Sequence, residues 1–160
     1  MISSKKLDQL RATRNFGIGR LFLLARRDFS ARLAQKMAAR HPDGGPLPSS
    51  PIPGGSLLPF LDLEGTRSTE LARRAGITKQ AVTKVLKELE EAGLVTRIQD
   101  QSDGRAQLVR FTESGVEYLL QIHAAIKSIE QEYEQLLGRA QLQQLRGSLS
   151  QLVYPSGEAP

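Results

Sequence analysis

At 160 residues, with 39% hydrophobic and 24% charged side chains, the chain has the makeup of one globular domain carrying an extension, not of a disordered tail. It contains no cysteine, which excludes a disulfide framework, a zinc ribbon and thiol-based redox sensing. The formal charge of +5 is uneven: residues 1–40 hold ten Lys or Arg against two Asp, while residues 113–160 hold three against six. A basic front of this kind favours a polyanionic partner, either nucleic acid or an anionic membrane surface. No apolar run approaches the roughly 20 residues of a membrane span, because Arg20 interrupts Ile18 to Ala25. No apolar signal segment follows Met1, so the expected compartment is the cytoplasm, with no role in the membrane.

In chain order, the first stretch, about Leu7 to Arg40, reads as a basic amphipathic helix. Leu21, Leu24, Ala25, Phe29, Leu33 and Met37 recur at helical spacing, with Arg26, Arg27, Arg32 and Lys36 between them. Residues 41–55 contain five Pro and four Gly and read as a long loop. A short helix is expected after Ser56, with Pro59 in its first turn. Ser68 is the expected N-cap of a helix reaching about Ala75 and closed by Gly76. Thr78 is expected to cap a second helix, Lys79 to Ala92, closed by Gly93, with Ala81, Val82, Val85, Leu86 and Leu89 forming its buried face. Leu94 to Gln99 and Arg105 to Phe111 read as strands joined by an Asp-Gly turn at Asp103-Gly104. Thr112 is a good N-cap for a long helix to about Leu137, which Gly138 breaks before a further leucine stripe from Leu142 to Leu152.

The fold class expected is therefore mainly α with a small β-hairpin (α+β): a winged helix-turn-helix flanked by helices. The expected domains are residues 1–40 as an N-terminal helix of a dimerisation region, 41–55 as loop and 56–112 as the winged unit. Residues 113–153 supply the C-terminal dimerisation helices, and 154–160 a flexible tail. In such a motif the first helix braces the second, which lies in the DNA major groove. With its buried face subtracted, the second helix offers Lys79, Gln80, Thr83, Lys84 and Lys87. Gln can pair with adenine, Lys with guanine, and Thr with a methyl group or a phosphate. The amides at the Thr78 end suit a phosphate. Arg105, at the tip of a polar hairpin, is placed to enter a minor groove, with Arg97 and Arg110 on the flanking strands.

Residues 57–120 resemble the MarR family of bacterial transcriptional regulators. The resemblance rests on Glu70-Leu71-Ala72-Arg73-Arg74-Ala75-Gly76-Ile77, the run Val82 to Val95, Asp103-Gly104-Arg105, and Phe111-Thr112-Glu113-Ser114-Gly115. It implies that Ser68, Thr78, Lys79, Gln80, Thr83, Lys84 and Arg105 face double-stranded DNA. It also implies a homodimer with intertwined terminal helices on a palindromic operator, usually as a repressor released by a small ligand or by thiol oxidation. The chain departs from the pattern in its long Pro/Gly-rich loop and in lacking cysteine, which removes the oxidative route.

A dimer is expected on physical grounds too. The apolar stripes Leu21–Met37, Val116–Leu137 and Leu142–Leu152 exceed what a winged unit of about 50 residues can cover, and exposed apolar area costs roughly 25 cal/mol per Å2. His41 and His123 lie in no metal-ligand spacing, and no nucleophile motif or phosphate-binding loop is present, so neither enzyme activity nor a cofactor or metal is expected. Glu88, Glu90 and Glu91 read as a solvated face turned away from DNA. The alternative reading is a winged-helix protein-protein interaction module without specific DNA binding.

Overall fold

The computed structural model describes residues 2–14, 17–40, 57–100, 103–104 and 106–155. The loop expected at 41–55 and the residues Gln101, Ser102, Arg105 and 156–160 lie outside this set. The elements in chain order are α1 (Ser4–Arg14), α2 (Ile18–Arg40), a single 3-10 turn (Leu58–Phe60), β1 (Thr66–Arg67) and α3 (Ser68–Ala75). There follow α4 (Lys79–Glu91), β2 (Val95–Gln99), β3 (Gln107–Phe111), α5 (Glu113–Leu137) and α6 (Arg139–Val153). The fold is the expected winged helix-turn-helix with flanking helices. By compactness the chain divides into His41–His123 and a second unit made of Met1–Arg40 with Ala124–Pro160.

Within His41–His123, the core is built from one face of each element. Leu71 and Ala72 of α3 and Val82, Val85, Leu86 and Leu89 of α4 are buried, together with Leu57, Leu94, Val109 and Phe111. Each large apolar side chain so buried contributes roughly 1.5–3 kcal/mol before its ordering cost. Gly76 takes φ 65° and ψ 30° as the left-handed residue that ends α3. Two residues later Thr78 caps α4, its Oγ1 accepting the Ala81 N–H at 3.2 Å. The 3-10 turn has Pro59 in its first positions, where a missing N–H is harmless.

The sheet is three-stranded and antiparallel, in the order β1-β3-β2, rather than a bare hairpin. Val95 pairs with Phe111, Arg97 with Val109 and Gln99 with Gln107, while Thr66 reaches Val109 from the other side. β1 was not expected, and it changes how α3 begins. Arg67, in extended backbone, is the cap residue and makes no side-chain cap, while Ser68 is already the first helical residue. The expected Ser68 cap is thus displaced by a strand that delivers the chain directly into the helix.

Where β3 turns into α5, Thr112 caps as expected. Its Oγ1 accepts the Gly115 N–H at 3.0 Å and donates to the Gly93 carbonyl at 2.5 Å, while the Thr112 N–H bonds Leu94 O at 3.1 Å. Gly115 is buried against that same carbonyl: a Cβ there would lie 1.9 Å from Leu94 O.

In the second unit, the single helix expected from Leu7 becomes two, α1 and α2, the second starting at Ile18 and containing Gly19. Met37 of α2 and Ala125 and Ile129 of α5 are its buried apolar residues. A polar clasp joins α2 to α5. Glu132 accepts from Arg32 at 2.8 Å and from Lys36 at 2.6 Å, Lys36 also reaches Ser128, and the Tyr133 hydroxyl donates to Asp28 at 3.2 Å. The Lys36 and Arg32 donors hold the Glu132 carboxyl below its ordinary range. Arg32 also stacks over the Tyr133 ring, 5.7 Å from its centroid. Beyond this clasp Ile18, Leu21, Phe22, Leu23 and Leu24 of α2 and Leu145, Leu149 and Leu152 of α6 are exposed. Among the described residues, no helix is long and apolar enough to cross a membrane.

Candidate nucleic-acid interface

The buried positions of α4 fix which side chains it can offer. Lys79, Gln80, Thr83, Lys84 and Lys87 are all exposed, opposite Val82, Val85 and Leu89. The Thr78 side chain takes the Ala81 amide, so the amides of Lys79 and Gln80, in the first turn, are left without an intrahelical acceptor. Thr83 Oγ1 donates to Lys79 O at 2.9 Å, which commits its hydroxyl hydrogen and leaves its methyl group and lone pairs for a ligand. Lys87 sits at the far end, 3.7 Å from Glu91.

The remaining expected residues divide between the wing and its base. Ser68 and Arg97 line one cleft of about 510 Å3 with Gln99, Gly104, Ala106, Gln107 and Val109, apart from the exposed face of α4. Arg97 is not a loose cation: its Nε donates to Glu90 Oε1 at 2.7 Å. Glu90 is therefore a partner of the wing, not merely part of a solvated acidic face, and one oxygen of Glu88 is buried without a protein partner. Arg110 is exposed on β3. Arg105, expected at the wing tip, lies outside the described residues.

Sequence reasoning missed what holds the wing. Arg67 donates to Asp100 Oδ2 through Nε at 2.9 Å and through Nη2 at 2.5 Å, with Asp103 3.6 Å away. Asp100 is only 6% exposed, and the paired carboxylate raises the Arg67 pKa. The tip closes on itself: the Asp100 N–H bonds Ala106 O, the Ala106 N–H bonds Asp103 O, and Gln99 Nε2 bonds Gly104 O at 2.9 Å. At the other end of α3, Arg74 bridges Asp62 and Glu70, both at 2.8 Å. Arg73 and Arg74 together pull the Glu70 carboxyl down to about 2. Glu70 with Arg73 and Arg74 has a legible i,i+3 and i,i+4 spacing, whereas the only sequence signal for the wing tie is charge, since Arg67 and Asp100 are 33 residues apart.

This arrangement presents ammonium groups, amide donors and a carboxamide on one exposed helix face, beside a braced polar hairpin. Such groups bind phosphate oxygens and the edges of bases. Among the described residues, no group of three or more His, Cys, Asp or Glu is assembled to hold a metal.

Residues 57–106 match the model of the MarR family. A transcriptional regulatory protein assigned to the hcr operon of Thauera aromatica is 28% identical over 106 residues, covering 66% of this chain and 64% of that protein. An HTH-type transcriptional repressor of Mycobacterium tuberculosis (strain H37Rv) is 36% identical over 66 residues, 41% of this chain and 48% of that one. The chain thus spans about half to two-thirds of the length of these relatives. Among solved structures, CouR from Rhodococcus jostii RHA1 bound to p-coumaroyl-CoA superposes with a TM-score of 0.65 at 22% identity, over 88% of this chain and 94% of that one. That likeness bears on the fold, and the fold is the same. The family match is seated on the winged unit, so it is this part of the chain that is similar to the MarR family.

Proposed function

We propose that the chain is a sequence-specific, DNA-binding transcriptional regulator that acts in the cytoplasm as a homodimer on an inverted-repeat operator, as a repressor rather than an activator. The observation that carries this is α4 itself: a Thr78-capped helix with one face buried and Lys79, Gln80, Thr83 and Lys84 exposed on the other. The family match and the repressor relative point the same way.

Exposed apolar surface supports the dimer reading. Ile18 to Leu24 of α2 is hydrophobic nearly all round, and a helix of that character is stable when buried. Leu23 is 68% exposed and Leu152 of α6 64%, so a single chain leaves both surfaces in water. A second copy covers them and sets two reading helices about 34–36 Å apart, one turn of DNA. A small-molecule effector is a further part of the reading, supported by the ligand held in the CouR structure.

The test is selection of bound duplexes from a random pool at about 150 mM salt, a concentration at which phosphate contacts alone bind weakly. Recovery of an inverted repeat with half-sites about one turn apart is expected. Enrichment of nothing by folded protein would refute the reading and favour a protein-binding winged helix.

A further inference from the structure

α1 lacks the support that a helix of its length needs. It has 11 residues and, among the described residues, buries none of its side chains. Its side-chain hydrogen bonds stay within the helix, from Ser4 and Arg11 to Asp8 and from Thr13 to the Gln9 carbonyl. Isolated helices shorter than about 12–15 residues are marginal in water, and among the described residues nothing packs on this one to hold it.

The chemistry of a partner for it can be read from the side chains offered. Lys5, Lys6 and Arg14 have no ion-pair partner among the described residues, and neither do Arg20 and Arg26 at the start of α2. At 3.6 residues per turn, Lys5, Lys6, Arg11 and Arg14 fall all round α1 instead of forming one polar face. Leu7 and Leu10 are its only large apolar residues, and it has no aromatic one. A bilayer surface needs a broad apolar stripe opposite the charges. A protein interface needs buried aromatic or aliphatic anchors. A collar of cations with neither feature suits a surface with closely spaced charges in every direction, and duplex DNA carries one charge per about 1.7 Å of axis.

We propose that α1 forms a cationic arm that binds duplex phosphates, adding sequence-independent contacts to those made by α4. The proposal rests on the DNA-binding reading above, and its test separates the two. In the full chain, Lys5→Gln, Lys6→Gln and Arg14→Gln are combined. Affinity is then measured against salt for a duplex recovered from the random pool and for a scrambled duplex of equal length.

The expected result is a salt slope shallower by about 2.7 per chain, about 5.4 for the proposed dimer, so that the wild-type advantage falls by about 1,800-fold between 50 and 200 mM salt. The preference for the recovered duplex over the scrambled one stays unchanged. Equal slopes, with wild-type binding intact, would overturn the arm alone. A wild-type chain that binds no duplex would overturn the DNA-binding reading and the arm with it. Equal slopes, together with wild-type but not variant protein sedimenting on vesicles rich in phosphatidylserine, would overturn it in favour of a membrane contact. The substituted residues are exposed, so an unchanged thermal melt verifies that the variant is folded.

Discussion

Gly115→Ala puts the corner between the winged sheet and α5 under direct test. In an ordinary helix interior alanine is favoured over glycine by about 1 kcal/mol, so a gain in stability is the baseline expectation. Here the added Cβ would lie 1.9 Å from Leu94 O and 2.9 Å from its carbonyl carbon. Relief requires a retreat of roughly 1 Å by backbone, not by the tip of a flexible side chain. That carbonyl also accepts the Thr112 N–H, and Leu94 and Val95 on either side of it are buried. Loss of the hydrogen bond costs about 0.5–1.5 kcal/mol and overpacking about 1–3 kcal/mol, which leaves a net destabilisation of about 0.5–3.5 kcal/mol after the helical gain. Gly147 in α6, where a Cβ would meet nothing within 4 Å, is the control. Gly147→Ala should stabilise by about 0.5–1 kcal/mol. Urea titration followed by circular dichroism measures both. A Gly115→Ala protein as stable as wild type, alongside a stabilised Gly147→Ala, would refute the close approach.

Four further outcomes are expected. Thr78→Ala should cost about 1 kcal/mol in the same titration, and Thr78→Ser should recover most of it, because a hydroxyl oxygen at that position accepts the Ala81 amide. Gln80→Ala should relax base preference at one position by about 1–3 kcal/mol, whereas Lys84→Ala should weaken every duplex alike and lower the salt slope by about 1. Competition binding tells them apart, and wild-type behaviour from both would remove α4 as the reading surface. Glu70 is held at about 2, below its ordinary 4.5, so its pairing with Arg73 and Arg74 stabilises the fold above pH 4.5 and is lost as pH falls toward 2. Melting curves of wild type and Glu70→Gln should therefore converge at the acid end, and parallel curves across that window would contradict the pairing. Glu90→Gln releases Arg97 from its carboxylate, and binding to a scrambled duplex should tighten with a salt slope steeper by about 0.9.

What could be read in advance was whatever repeats locally. The α4 face is spaced by helical periodicity, and Thr78, Gly76 and Gly93 are neighbours of the elements they cap or close. The continuous helix from Glu113 to Leu137 likewise follows from Thr112 and Gly138 at its ends. β1 escaped because two residues cannot show an alternating pattern, and its pairing with Val109 and Leu108 lies more than 40 positions away. That strand also displaced the expected Ser68 cap. The break before Ile18 escaped because the apolar stripe begins only at Leu21 and so marks no boundary between Leu7 and Ile18. Arg97 and Glu90 were both noticed as charges, yet a turn at Gly93 folds the strand back so that they meet, and no periodicity encodes that meeting. The same holds for Arg67 and Asp100, which only the closed sheet brings together.

Those last two pairs have a consequence for how a target is measured. One ties β2 to the last turn of α4, and the other ties the start of α3 to the hairpin tip. On the proposed DNA-binding reading, these pairs brace α4 and the wing as two prongs of one gauge. Such a gauge registers the interval between two contacted segments as well as their base identities. One base pair inserted between those segments shifts the second by about 3.4 Å and rotates it by about a tenth of a turn. Following that shift strains these ion pairs, so spacing becomes part of the recognised word, and such an insertion should weaken binding.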